Sequence, residues 1–188
     1  MGLIGRRGGA SLPPIKFRKS PNFSSRVPNV VDLVVVHRPV GAYLGAVEVL
    51  CSPGHEASAH IVLGRTSRKA PLEATQLVPW GKKAWACMAF NSRSDNLEIT
   101  DDAWNGGWDK EAWKVAARIV AFRLKKRGLP PRWARNGRGK GFCRHYDLGA
   151  SGGGHTDPTT STVEWLKFVA RVKWEYARGG FREHWGVE

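Results

Sequence analysis

Val31-Asp32-Leu33-Val34-Val35-Val36-His37 is the stretch whose reading decides the fold. A near-continuous β-branched run of this length suits a strand buried on both faces. His37-Arg38-Pro39 follows, and the proline ends the ladder. His37 is therefore expected at a strand end, where α/β sheets hold the loops that carry chemistry. Downstream, Tyr43 to Leu50 reads as helix or loop. Further strands are expected near Ala57 to Leu63, Ala74 to Val78, and Asn96 to Thr100. From Asp109 to Arg127, apolar groups recur at Trp113, Ala116, Ile119, Val120 and Leu124, a helical period. Lys125, Lys126 and Arg127 suit its last turn, and Gly128 and Pro130 stop it. Ser161-Thr162-Val163-Glu164 is a capping box that opens a final helix to about Tyr176, expected to bury Leu166, Val169 and Val172. Strands alternating with long helices predict an α/β class. One domain is expected over 31–178. It follows a basic, Pro- and Gly-rich arm over 1–30 and precedes a short tail over 179–188.

The 188 residues carry 30 Lys+Arg against 16 Asp+Glu, a net charge of +14, so polyanions are natural partners. Nucleic acid, membrane surfaces and anionic cell-wall polymers all satisfy that charge. Six basic residues lie in the arm and eight between Lys125 and Arg144, with no acid in either stretch. This clustering favours a binding surface over a uniformly solvated one. Hydrophobic residues make up 41% and nine tryptophans are present, which excludes a wholly disordered chain. No apolar run is long enough to span a membrane. Nor does the start read as a signal peptide. Arg6-Arg7 lacks a hydrophobic segment after it, and Gly2 lacks the Ser or Thr that myristoylation needs at position 6. Cys51, Cys87 and Cys143 form neither a disulfide framework nor a CxxC pair, and reduced thiols are expected.

The residues that suggest chemistry lie far apart in the chain. His145 and His155 share a Gly-rich loop with Asp147 and Asp157, and glycine lets such a loop gather its side chains. Two histidines plus a carboxylate, with one position left for water, make a catalytic zinc set. Cys143 is a weaker candidate ligand. His55 and His184 suggest no partner.

The order of the pieces adds more. Val34-Val35-Val36-His37 comes first, then Ser58-Ala59-His60, Gln76-Leu77-Val78-Pro79 and Ala84-Trp85. Asn91-Ser92-Arg93-Ser94 leading to Leu97-Glu98 follows, and His145 and Asp157-Pro158 close the series. Over about residues 20 to 176 this series resembles the zinc-dependent N-acetylmuramoyl-L-alanine amidases, the superfamily that also holds the peptidoglycan recognition proteins. The resemblance implies a single domain with a central mixed β-sheet flanked by helices. It implies Zn2+ held by His37, His145 and Asp157. Glu98 would take a proton from water and pass it to the leaving amine, and His155 would stabilise the oxyanion. His155 as third ligand, with Asp157 orienting an imidazole, is the alternative. Trp85, Asn91 and His60 fall where substrate contacts are expected. His60 also reads as a structural strand histidine, Asn91 and Ser94 as turn formers, Asp147 as a cap, and Trp85 as core.

Departures from the family pattern are informative. Arg38 and Pro39 follow the first ligand, Ala86 and Cys87 follow Ala84-Trp85, and Ala59 stands where one branch of the family has tyrosine. With Glu98 present, the chain resembles the glutamate branch. The resemblance implies a bacteriophage endolysin: a monomer made in the host cytoplasm without a signal peptide, acting on peptidoglycan at the cell wall and touching nucleic acid only non-specifically. The rival readings are a non-catalytic peptidoglycan-binding module of the same fold and a basic nucleic-acid-binding protein.

Overall fold

The computed structural model describes residues 11–100, 109–181 and 185–188. The expected start of the arm, with Gly2 and Arg6-Arg7, lies outside these residues, as does His184. In chain order the elements are β1 (Ile15–Phe17), β2 (Phe23–Ser25), β3 (Leu33–His37), α1 (Tyr43–Leu50), β4 (Ile61–Gly64), β5 (Glu73–Gln76), β6 (Lys82–Ala84), β7 (Ser94–Ile99), α2 (Lys110–Lys126), β8 (Gly141–Arg144) and α3 (Thr162–Arg178). Six strands form one sheet in the order β1-β5-β4-β7-β3-β8, and β2 pairs with β6 alone. The sheet is mixed: β3 runs parallel to β7 and β8, β4 runs parallel to β7, and β4 and β5 are antiparallel. The α/β class, the mixed sheet with its flanking helices, and the single domain are all as expected.

Every residue of β3 is buried, because a neighbouring strand covers each edge and packed layers cover both faces. Side chains alternate across the sheet. Val34, Val36, Ile61, Leu63, Leu97 and Ile99 join the core under α2 and α3. On the other face, Leu33 and Val35 pack with Cys87, Cys143 and Leu148, while Val62 packs with Tyr43, Val47 and Leu50 of α1. His37 continues the Leu33–Val35 row and so faces away from α2 and α3.

Asp109 caps α2 by accepting from the backbone N–H groups of Glu111 and Ala112, and Ser161 caps α3 by accepting from Glu164 N–H. The expected burial of Val169 and Val172 holds, but Leu166 is 47% exposed. Trp165 and Phe168 fill the buried face in its place.

The segments expected to be arm and tail pack on the domain. Ile15–Phe17 pairs in parallel with β5, so the described part of the arm supplies an edge strand. At the other end, the Gln76 side chain bonds both the N–H and the carbonyl of Val187, and the Trp185 indole donates to the Pro13 carbonyl. Non-local pairing overrides the proline-rich character of the arm. All three cysteines are free.

Candidate metal centre and catalytic groove

His37 ends β3, and Glu98 stands opposite it in the parallel register of β7. His145 follows the last residue of β8 directly. Three neighbouring parallel strands thus carry, at or beside their ends, three polar side chains, two of them imidazoles. The loop after His145 returns so that the Tyr146 N–H donates to the Asp157 carbonyl, which carries the Asp157 side chain back to the strand ends. The Arg38 N–H donates to Asp157 Oδ2 at 3.0 Å.

His37 Nδ1 lies 3.0 Å from His145 Nδ1, and Asp157 Oδ1 lies 3.1 Å from His145 Nδ1. Ligand atoms of His37, His145 and Asp157 all fall within 4.8 Å of one another. The outer nitrogens are already engaged: His37 Nε2 meets Asn96 Oδ1 at 2.9 Å and His145 Nε2 meets the Gly152 carbonyl at 2.8 Å. Both acceptors are oxygens, so each ring carries its proton on Nε2. The two Nδ1 atoms then present bare lone pairs to each other and to a carboxylate. Only a cation or a shared proton relieves that contact. Two neutral imidazoles and one carboxylate fit a zinc ion with room for a fourth ligand. Burial and the neighbouring His145 push the His37 pKa down to about 3, against the pull of Asp157. Burial alone would raise Asp157, but its carboxyl is held below its usual range by the hydrogen bond and positive charge it gains when a proton is shared at His145 Nδ1, by the charge of His37 when protonated, and by the Arg38 N–H.

Glu98 shows the opposite behaviour. It is 9% exposed, and its Oε2 is buried without a hydrogen-bond partner. Burial, reinforced by the Asp157 charge, raises its pKa well above the ordinary carboxyl value. A carboxyl so placed is a stronger base than an ordinary one and can exchange a proton with a reacting atom. Glu98 and the three ligand candidates line one groove of about 520 Å3, together with Trp85, His55 and His155. His155 stacks on the His145 ring at 4.4 Å, with its side chain 60% exposed and its Nδ1 3.8 Å from Asp157 Oδ1. It is not part of the three-residue ligand group.

Other expectations are redirected. His60 is fully buried: its Nδ1 accepts from the Asn96 N–H, its Nε2 meets the Lys82 carbonyl, and its ring stacks on Trp80. It stands directly before β4, held by these bonds, and is not among the residues that line the groove. Asn91 makes no groove contact either; its Oδ1 accepts from the N–H groups of Ala86 and Cys87, fixing the turn that presents Trp85. Asp147 caps its own turn, accepting from the Arg144 side chain and the Trp133 indole. Cys143 packs in the core beneath the site. Sequence reasoning missed Asn96 and the Gly152 carbonyl. Asn96 was findable, since a period of two from Glu98 along β7 puts both on one face. The carbonyl leaves no trace in residue type.

Solved structures share this fold. The hydrolase AmiA of Staphylococcus aureus, solved with its ligand, superposes with a TM-score of 0.73 at 16% identity, covering 89% of this chain and 85% of that one. PlyL superposes at 0.61 with 20% identity, over 87% of this chain and 98% of that one. The Escherichia coli N-acetylmuramyl-L-alanine amidase AmiD, solved with anhydro-N-acetylmuramic acid-L-Ala-D-γ-Glu-L-Lys, superposes at 0.55 with 13% identity, over 82% and 60% of the two chains. At these identities the likeness concerns the fold. No curated protein matches the chain significantly. The profile of one family, however, matches residues 27–160, a span that runs from before β3 to beyond Asp157. With that match over most of its length, this chain belongs to the N-acetylmuramoyl-L-alanine amidase family.

Proposed function

We propose that the protein hydrolyses the amide between the lactyl group of N-acetylmuramic acid and L-alanine in peptidoglycan, using zinc held by His37, His145 and Asp157. The observation that carries this reading is the convergence of two bare imidazole nitrogens and a carboxylate beside the unpartnered Glu98 carboxyl. Zinc, when bound, supplies the Lewis acidity that activates a water and polarises the scissile carbonyl. Asn96 and the Gly152 carbonyl hold the imidazoles in the tautomer that ligation needs. Glu98, which lines the groove, accepts the proton of the attacking water and passes it to the nitrogen of the departing L-alanine. His155, stacked on His145 at the mouth, donates a hydrogen bond to the developing oxyanion. The wall that includes Trp85 keeps bulk water from the reacting amide.

The role is that of an endolysin of bacteriophage type, acting at the bacterial wall as a monomer, with anionic wall polymers as further partners. The exposed cations Arg132, Arg135, Arg138 and Lys140 support that partnership. Release of free L-alanine amino termini from purified peptidoglycan tests the activity, run with zinc, with a chelator, and with Glu98→Ala. Zinc-dependent release that the variant loses while still binding metal is the expected result. A variant that works as well as the parent chain removes Glu98 from the chemistry.

A further inference from the structure

Helix α3 has two apolar faces. Trp165, Phe168, Val169 and Val172 pack inward. On the opposite side Val163, Leu166, Ala170, Trp174 and Ala177 succeed one another at helical spacing, and all five are exposed. A helix that buries one face has no folding reason to keep a second apolar stripe in water.

Cations border the stripe. Lys167, Arg171 and Arg178 run along one edge and Lys173 stands on the other. Arg171 and Arg178 lie over the Trp174 ring at 4.5 and 5.2 Å. The two acids of α3 are both ion-paired: Glu164 with Lys167, and the buried Glu175 with Arg118, Arg171 and Arg178. Beyond the cationic edge, an aromatic cleft of about 390 Å3 opens between α2 and α3, with Trp113 and Phe168 in its walls and Lys110 and Lys114 at its rim. Apolar side chains flanked by cations, with tryptophan among them, match the interface of an anionic bilayer. A phosphate polymer would be served by the cations and would gain nothing from the stripe.

We infer that the outer face of α3 docks on anionic lipid bilayers. The helix lies in the plane of the surface, with Val163, Leu166 and Trp174 in the boundary between headgroups and acyl chains, and with the lysines reaching back to the phosphates. Among the described residues no helix is long and apolar enough to cross a membrane, so the contact is peripheral. His37 and Glu98 face the other side of the sheet, so docking leaves the groove open.

Co-sedimentation of the full chain with vesicles tests this, comparing equal parts phosphatidylglycerol and phosphatidylcholine with phosphatidylcholine alone. The parent chain is expected to sediment with the anionic vesicles and not with the neutral ones. Leu166→Gln with Trp174→Gln should weaken that partition about tenfold or more, because buried apolar area supplies it. Lys167→Gln with Lys173→Gln should weaken it roughly fivefold per cation at low salt. All four residues are exposed, so the variants should fold, and they should digest membrane-free peptidoglycan at the parent rate if the proposed activity holds. Vesicle binding is read without catalysis and so stands or falls independently of that activity. No partition into anionic vesicles overturns the inference. So does full binding by the Leu166 and Trp174 variant, which would mark a charge-only surface for a polyanion.

Discussion

Asp95 and Glu98 lie three residues apart on β7, both buried, yet they are opposites. Burial would raise Asp95, but the charges of Arg123, His60 and Arg127 pull it well below its usual value. Both its oxygens are engaged: Arg123 and Arg127 approach Oδ2 at 2.9 and 3.0 Å, and Arg26 approaches Oδ1 at 3.4 Å. Glu98 has burial without a cation, and one oxygen has no partner. The side-chain period of two sends them to different faces, Asp95 with Leu97 and Glu98 with Asn96. One carboxylate ties β7 to α2. The other is left unsatisfied where a substrate would enter. What separates the ion-paired acid from the proposed reactive one is the company each keeps, since depth and element are shared.

This contrast can be broken at its reactive end first. Glu98→Gln should lower the rate of amide hydrolysis by about a thousandfold, the usual scale of a general acid–base group. The melting temperature should hold or rise, because the change removes a buried carboxyl with an unpartnered oxygen. Rate and melting measured on one preparation decide it, and a rate near the parent value would place Glu98 with Asp95 as a structural acid. Asp95→Asn should do the reverse, lowering stability by about 3 kcal/mol by stranding the buried guanidinium groups. Urea denaturation measures this. The pH dependence has a definite sign. Asp95 titrates lower in the fold than in the unfolded chain, where its value is about 3.9. Its contribution to stability is therefore complete above that value and is lost as pH falls through the folded one. The variant should be flatter than the parent below about pH 4. The smallest effect concerns Asn96, on the reactive face. Asn96→Ala frees His37 Nε2 and should weaken zinc binding about tenfold in competition with a chromophoric chelator.

The sequence announced the reactive face more clearly than the structural one. His37 was legible because an apolar run ended at it, and Glu98, His145 and Asp157 because they followed in a family order. Asp95 gave no such sign: its arginine partners lie 28 to 69 positions away, and only folding shows that they meet. The strands β1 and β8 escaped for the same reason. Ile15–Phe17 sits between prolines and Gly141–Arg144 in a glycine- and arginine-rich stretch, so each becomes a strand only by pairing with a distant partner. His60 carried two readings, substrate contact and structural histidine, because such a residue looks alike from sequence whether it faces a groove or the interior; its ring is buried. Leu166 was assigned to the core because it is apolar on a helix, although the buried arc runs through Trp165 and Phe168.

The two imidazoles that meet at 3.0 Å are 108 residues apart in the chain, and β3 lies between partners that are both made after it. No nascent chain that stops short of Asp157 contains the site. A ribosome must release His145 and Asp157, and β8 must close on β3, before a metal has anything to bind. Under the proposed function, metal uptake would be a late event, and such non-local closure is intrinsically slow. Zinc capture, followed in time during refolding, would serve as a clock for the last strand to join.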